Sequence, residues 1–418
     1  MNLLQLASLA WRNLWRQRRR TLLTLSSIAF GGFLAVMFTA LEDLSFADFI
    51  NTAARLGSGH VAMQHPEYHD TPTLTRSLTD TTAKVALAGA DPATSHTVER
   101  TVGQTMVATA NDSFGALFIA YDPAKETADT FAFTDSIAEG KLFASPDDKG
   151  IILGEVLAKN LDAQLGDKVV FTMTDRNGEI VTGMERLVGT VHSGAPSLDA
   201  GLCLLPIGTV RKLVGYAPDE ATQVAVFLKD GRDAPKVAGR LTGSVGPDVA
   251  VLTWDQIQPE IRSFIAAKIG GTIVMEVIIA LLVAAGIFNT IFMSVMERSR
   301  EFGIMLALGY TARQLFVLVM LESTFLAGMG LASAVAITAW PYSWAAEHGI
   351  DLTQVYAEQG LNTMEISGVG MSPIMRIGIY PENAVIIAVA IVLATITAGI
   401  YPAWKAGRVN PVESINLA

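Results

Sequence analysis

Four stretches of this 418-residue chain carry no charge for long enough to cross a lipid bilayer: Thr21 to Leu41, Val277 to Met296, Ser323 to Trp340 and Asn383 to Trp404. A hydrocarbon core about 30 Å thick needs about 20 helical residues. The first run could be read as a secretory signal, but it exceeds the roughly 7 to 15 apolar residues of a signal core and reads as a retained anchor. Hydrophobic residues make up 50% and charged residues 17% of the chain. That is too apolar for an ordinary soluble enzyme and too polar for a chain made only of membrane helices. A soluble domain must accompany the spans.

Basic residues favour the cytoplasmic side of a bilayer. Arg12, Arg16, Arg18, Arg19 and Arg20 precede the first run, whereas Glu42, Asp43 and Asp48 follow it. Arg298, Arg300 and Arg313 lie between runs two and three, and Lys405 and Arg408 follow run four. All basic clusters then fall on one side, with both termini inside. Trp11, Trp15, Tyr401 and Trp404 would sit at the inner interface, and Trp340, Tyr342, Trp344 and Tyr380 at the outer one, unless the rings pack within the bundle. Leu3, Leu6, Ala7, Ala10, Leu14 and Trp15 recur at helical spacing. They form either an amphipathic helix in the headgroup layer or an extension of the first span.

The expected organisation is a cytoplasmic amphipathic helix over 1–20, spans at 21–43, 270–296, 316–341 and 382–404, and an extracytoplasmic domain over 44–268. A coupling loop and helix occupy 297–315, an outer loop 342–381 and a cytoplasmic tail 405–418. The fold class is thus a membrane protein of four transmembrane α-helices, with a mixed α/β extracytoplasmic domain inserted between helices one and two. Within that domain, Gly59 to Met63, Gly150 to Leu153, Lys168 to Met173, Arg186 to Val191 and Gln223 to Leu228 read as strands. Val156 to Leu165 and Ile207 to Val214 read as helices.

Catalytic signatures are scarce. The net charge of -10 argues against nucleic acid. The single cysteine, Cys203, excludes an intramolecular disulfide. The chain contains no G-x-x-x-x-G-K-[ST] phosphate loop, G-x-S-x-G elbow or H-E-x-x-H pair, so no catalytic residue is assigned and no ATP hydrolysis is expected of it. His60, His65 and His69 lie close together, but Pro66 interrupts them and the spacing matches no common ligand pattern, so no metal site is expected. Glu276 and Glu322 fall near the ends of apolar helices; each either faces a bundle interior or cavity or snorkels to water.

The densest motif is Asn289-Thr-Ile-Phe-Met-Ser-Val-Met-Glu-Arg-Ser-Arg-Glu-Phe-Gly-Ile-Met-Leu-Ala-Leu-Gly-Tyr310, running on to Leu315. Charges of both signs follow the second span, apolar residues continue among them, and Gly309 closes a short helix. This stretch resembles the loop between the second and third membrane helices of the MacB, LolC/LolE and FtsX superfamily of ABC transporter permeases. The resemblance covers nearly the whole chain. Ala10 to Leu25 looks like the family's entry to its first span, Gly150 to Val169 like its periplasmic core domain, and Tyr401 to Ile415 like its C-terminal end.

The resemblance implies an inner-membrane permease without ATPase motifs, flanked by two copies of a separate ATPase subunit that binds ATP and Mg, and paired with a second permease copy or paralogue. No cofactor is implied for this chain. A periplasmic carrier or adaptor and membrane lipid are the further expected partners. Glu297, Arg298, Arg300, Glu301, Phe302, Gly303, Leu306 and Gly309 are the expected ATPase-coupling residues, and Glu276 and Glu322 the expected residues of a dimer cavity. The implied activity is extraction of lipoproteins or lipids from the inner membrane; the alternatives are mechanotransmission to an adaptor and outer-membrane duct, and regulation of a periplasmic hydrolase.

Overall fold

A computed structural model describes residues 3–16, 18–358, 364–366, 368–371 and 374–409. Gln17 and the stretch Asn410 to Ile415 of the motifs above lie outside the described residues. In chain order, helix α1 (Leu3–Arg16) and helix α2 (Arg18–Leu56) lead into β1 (Val61–Gln64), α3 (Thr81–Gly89), β2 (Thr94–Ala108) and β3 (Ser113–Tyr121). Next come β4 (Ile137–Gly140), β5 (Ile151–Gly154), α4 (Glu155–Asn160), β6 (Lys168–Thr174), β7 (Ile180–Val191), α5 (Pro196–Asp199), β8 (Leu202–Pro206) and α6 (Ile207–Val214). The domain finishes with β9 (Gln223–Leu228), α7 (Ala234–Thr242), β10 (Ala250–Thr253) and α8 (Trp254–Ile257). Helices α9 (Pro259–Glu297), α10 (Ser299–Ala307) and α11 (Ala312–His348) follow, then β11 (Ile350–Asp351), α12 (Thr353–Glu358), three short strands and α13 (Pro381–Ala406).

The chain divides into two compact units. One comprises Met1–Ser45, Ala266–Ile350 and Ile374–Ala418; the other comprises Phe46–Ile265 and Asp351–Pro373. The second unit is built on a ten-stranded sheet of order β10-β1-β9-β2-β3-β8-β5-β7-β4, with β6 paired to β2 and β7. Strands β1, β5 and β9 are buried along their whole length, which is why their apolar runs are visible in the sequence; β8 is buried in the same way. The longest strand, β2, was not visible. Its first half pairs with β9 and its second half with β3, so it joins the two halves of the sheet. Its buried positions carry Glu99, Arg100, Thr101 and Thr105, so no apolar alternation marks it.

Other boundaries shift for local reasons. The helix expected over Val156 to Leu165 ends at Asn160, because Asp162 takes a left-handed conformation at φ 49°. The strand expected over Arg186 to Val191 is the end of the longer β7. Strands β3, β8 and β10 and helices α3 and α7 are additions to the sequence reading.

Four helices are long and apolar enough to cross a membrane: α2, α9, α11 and α13. Three run far beyond the expected spans. Helix α2 continues through Glu42, Asp43 and Asp48 to Leu56, because charges end an apolar run without ending a helix. It stops where Gly57, Ser58 and Gly59 follow; Gly59 has φ 72°, and a Cβ there would lie 2.8 Å from the Val226 carbonyl oxygen. Helix α9 begins at Pro259, and α11 passes through Pro341 to His348, so the expected outer loop is helical at its start. Helices α2 and α9 each have 39 residues, about 58 Å at 1.5 Å per residue, roughly twice the hydrocarbon thickness.

Helix α1 packs within the first of the two units. Its stripe of Leu6, Ala10 and Leu14 is buried in the cluster that holds Leu315, Leu318 and Leu326. The Thr21 hydroxyl donates to the Leu14 carbonyl, seven residues back, at 2.6 Å. Close helix crossings use small residues: a Cβ on Gly399 would lie 2.2 Å from the Ser323 hydroxyl, and one on Gly330 would lie 2.6 Å from Ile28.

Candidate coupling site

Helix α9 ends at Glu297, and α10 begins after Arg298. Helix α10 ends in a left-handed turn at Gly309, φ 96°, with the Tyr310 amide donating to the Met305 carbonyl at 3.0 Å. Thr311 then caps α11 in a capping box with Gln314, the Thr311 amide donating to Gln314 Oε1 at 2.9 Å. A nine-residue helix is thereby fixed at both ends.

Its two faces differ. Phe302 and Gly303 are buried, Phe302 among Leu6, Leu14, Leu315 and Leu318. Arg300, Ile304 and Leu308, spaced four apart, form the exposed stripe, with Leu308 75% exposed. Glu297 and Gly309 are also exposed, and Glu301 and Leu306 are half-buried.

A network of charged groups lies beneath and beside this helix. Arg298 Nη1 donates to both Glu322 oxygens at 3.0 and 3.2 Å, and Arg298 Nε donates to Glu301 at 3.1 Å. Asn13 Nδ2 of α1 donates to Glu322 at 2.8 Å. Arg16 of α1 pairs with Glu301 at 2.6 Å, and Arg20 of α2 makes a two-pronged pair with Glu297 at 2.8 and 2.6 Å. The Arg298 guanidinium lies 5.1 Å from the Phe302 ring centroid. Helices α1, α2 and α11 are each tied to α10 or its flanks by at least one charged side chain. A cavity of about 40 Å³, lined by Asn13, Arg20, Thr24, Ser294, Arg298 and Glu322, lies beside the Arg298 pair.

This geometry sorts the expected coupling residues. Arg298, Phe302 and Gly303 were expected to dock a partner, but they face inward: Arg298 carries the only charge close enough to neutralise Glu322 among the described residues, and the Phe302 ring fills core space. Arg300, Glu297 and Gly309 remain at the surface. Glu322, expected in a dimer cavity, is committed within its own chain to Arg298 and Asn13, because a buried carboxylate needs a counter-charge. Glu276 accepts from Thr39 at 2.7 Å and is half-buried. Trp11, Trp15, Trp340, Tyr401 and Trp404 are all exposed at 40% or more. Trp11 also stacks edge-on against Trp15 and Phe325, and Tyr401 lies near Phe288, Phe292 and Trp404.

Sequence reading missed Asn13, Arg16, Arg20 and Ile304. The signal was available for Ile304 in the four-residue spacing from Arg300 to Leu308, and for the arginines in the carboxylates Glu297 and Glu301 that follow the second span.

Residues 21–244 match the MacB-like periplasmic core domain family, and residues 273–411 match the FtsX-like permease C-terminal family. The chain is an FtsX-like ABC transporter permease with a MacB-like periplasmic core domain. Candidate spans and the inserted α/β domain make this permease a multi-pass membrane protein. It is 25% identical over 279 residues to the lipoprotein-releasing system transmembrane protein LolC of Xylella fastidiosa, covering 65% of each chain. An uncharacterized ABC transporter permease of Methanocaldococcus jannaschii is 25% identical over 289 residues, covering 67% of this chain and 65% of that one. The permease thus spans about two-thirds or slightly less of these relatives' length. Among solved structures, the periplasmic region of MacB from Actinobacillus actinomycetemcomitans aligns with 51% of this chain and 98% of its own at 14% identity and a TM-score of 0.34.

Proposed function

We propose that this chain is the permease subunit of an inner-membrane ABC transporter, and that a separate ATPase subunit, two copies per complex, docks on the exposed stripe of α10. The observation that carries this reading is the two-faced helix. One face presents Arg300, Ile304 and Leu308, while the other is keyed by Phe302 and bordered by ion pairs to α1, α2 and α11. A push on α10 would then reach those helices together. ATP and Mg belong to the ATPase, since the chain has no phosphate-binding loop. The arginines around α1 and the start of α2 support a cytoplasmic location for both termini.

A second permease, as copy or paralogue, would cover α9, which exposes Ile273, Val277, Leu281 and Leu282. The work performed is extraction of lipoproteins or lipids and their transfer to a periplasmic carrier. The LolC relatives support this reading by their name. Purification of the complex in detergent followed by mass spectrometry tests it: acylated protein or lipid should accompany the permease and ATPase. Recovery of an adaptor without lipid would favour mechanotransmission instead.

A further inference from the structure

The soluble unit holds a cavity of about 330 Å³, within the range of small-molecule sites. Its walls combine apolar side chains, among them Leu117, Ile119 and Ile257, with the amides of Gln64, Gln104, Gln223 and Gln258, the His69 imidazole and the hydroxyl of Ser58. Ser58 is 6% exposed and Gln64 4% exposed. Ser58 Oγ, Gln64 Oε1 and Gln258 Oε1 have no hydrogen-bond partner among the described residues. Burying such groups unpaired costs about 1–3 kcal/mol each, so three in one wall point to an occupant that pairs with them.

The amide orientations follow from a relay. Gln64 Nε2 donates to Gln223 Oε1 at 2.9 Å, and Gln223 Nε2 donates to the Gly57 carbonyl at 3.0 Å. Reversing either amide would set like atoms together, so Gln64 Oε1 is an acceptor. The Tyr68 hydroxyl, also in the wall, is spent on the Val102 carbonyl at 2.5 Å. The Gln64 carbonyl oxygen and the Ser58 hydroxyl thus offer unpaired acceptors to an occupant. Among the described residues the wall contains no Asp, Glu, Lys or Arg, so a charged occupant would lose hydration with no counter-ion beyond what His69 could supply.

We infer that this cavity binds a small neutral ligand with an apolar body and hydroxyl donors, the chemistry of an acylglycerol or an alkyl glycoside. Its position gives it leverage. Ser58 follows the end of α2, and Ile257 and Gln258 immediately precede α9, so an occupant touches both points where the long helices join the domain. Binding would brace these junctions.

The test uses the full chain in lipid nanodiscs and four probes: monohexanoylglycerol, hexyl glucoside, glycerol and hexanoate. Calorimetric titration should show saturable binding of the first two, with the tighter one naming the lipid or sugar source. Glycerol and hexanoate should bind at least about tenfold more weakly. Hydrogen exchange in 57–64 and 254–258 should slow on binding. Leu117→Trp, which fills the cavity from its rim without removing a hydrogen bond, and Ser58→Ala should each weaken binding by about tenfold with the circular dichroism unchanged. Equal binding of hexanoate, no saturable binding of either hydroxylated probe, or unaltered binding by Leu117→Trp would overturn the proposal.

Discussion

Each unit of the permease contains a buried arginine–glutamate pair, and the two are finished differently. In the soluble unit, Arg100 is completely buried and every guanidinium nitrogen is bonded: Nε and Nη2 to Glu126 at 2.7 and 2.9 Å, Nη2 also to the Thr130 carbonyl, and Nη1 to the Gly57 carbonyl. Phe131 and Phe227 flank it. In the membrane unit, Arg298 and Glu322 are each about 10% exposed at the side chain, Arg298 Nη2 has no partner among the described residues, and a small cavity adjoins the pair. A saturated network has no alternative arrangement of similar energy, whereas one with a free donor and adjoining space can exchange partners. Arg100 serves as a clamp on the end of α2; Arg298 suits the moving joint that the proposed coupling through α10 requires.

The largest effect should come from breaking the clamp. Arg100→Met leaves Glu126 buried without its counter-charge and should lower the stability of the soluble unit by about 3–5 kcal/mol. Chaotrope melts of the full chain, followed by hydrogen exchange in β2 and β9, measure this. Arg100→Met with Glu126→Leu should recover part of the loss, as expected when an apolar pair replaces an ionic one.

A second clamp on α2 is pH-sensitive. His60 Nδ1 accepts from the Leu228 amide at 3.1 Å, so Nε2 carries the proton donated to Asn51 Oδ1 at 2.8 Å. With both ring nitrogens engaged, His60 does not join His65 and His69 as a metal ligand. Burial lowers its pKa from 6.5 to about 4, against the opposing pull of Asp230. The unfolded chain therefore binds the proton more readily, and the stability from neutral His60 is complete above pH 6.5 and is lost as pH falls toward 4. The loss should total about 3 kcal/mol, and His60→Gln should remove this part of the slope in melts taken across that range.

The joint should respond more in function than in stability. Arg298→Met should cost about 1–3 kcal/mol, less than Arg100→Met, because the pair is not fully enclosed. ATP hydrolysis by the complex should nevertheless separate from substrate release. A double-mutant cycle with Glu322→Gln, read in release assays, measures the coupling between the two residues. The smallest effect is expected from Arg16→Ala, since Arg16 is 68% exposed at the side chain; its loss should change the melt by no more than about 1 kcal/mol.

The contrast between the units also shows which parts of the molecule were legible in the sequence. The spans were visible because lipid demands long uncharged runs, and α10 because apolar residues persist among its charges. Which arginine turns inward was not visible: Arg298 and Arg300 are two residues apart, and only the tertiary position of Glu322 separates them. The outward stripe was hidden for a related reason. Ile304 and Leu308 are as apolar as the buried Phe302, so composition did not reveal which face turns outward. In the soluble unit, β2 and its clamp were hidden because Arg100 and Glu126 are polar residues in core positions, 26 residues apart in sequence.

The most direct measurement is the binding of the separate ATPase subunit to permease variants on the two faces of α10. Leu308→Glu and Ile304→Glu should reduce association by at least about tenfold while leaving the permease's melt unchanged, and Arg300→Ala should reduce it less. If ATPase association and hydrolysis were unaffected by both glutamate substitutions, the exposed stripe of α10 would not be the coupling surface.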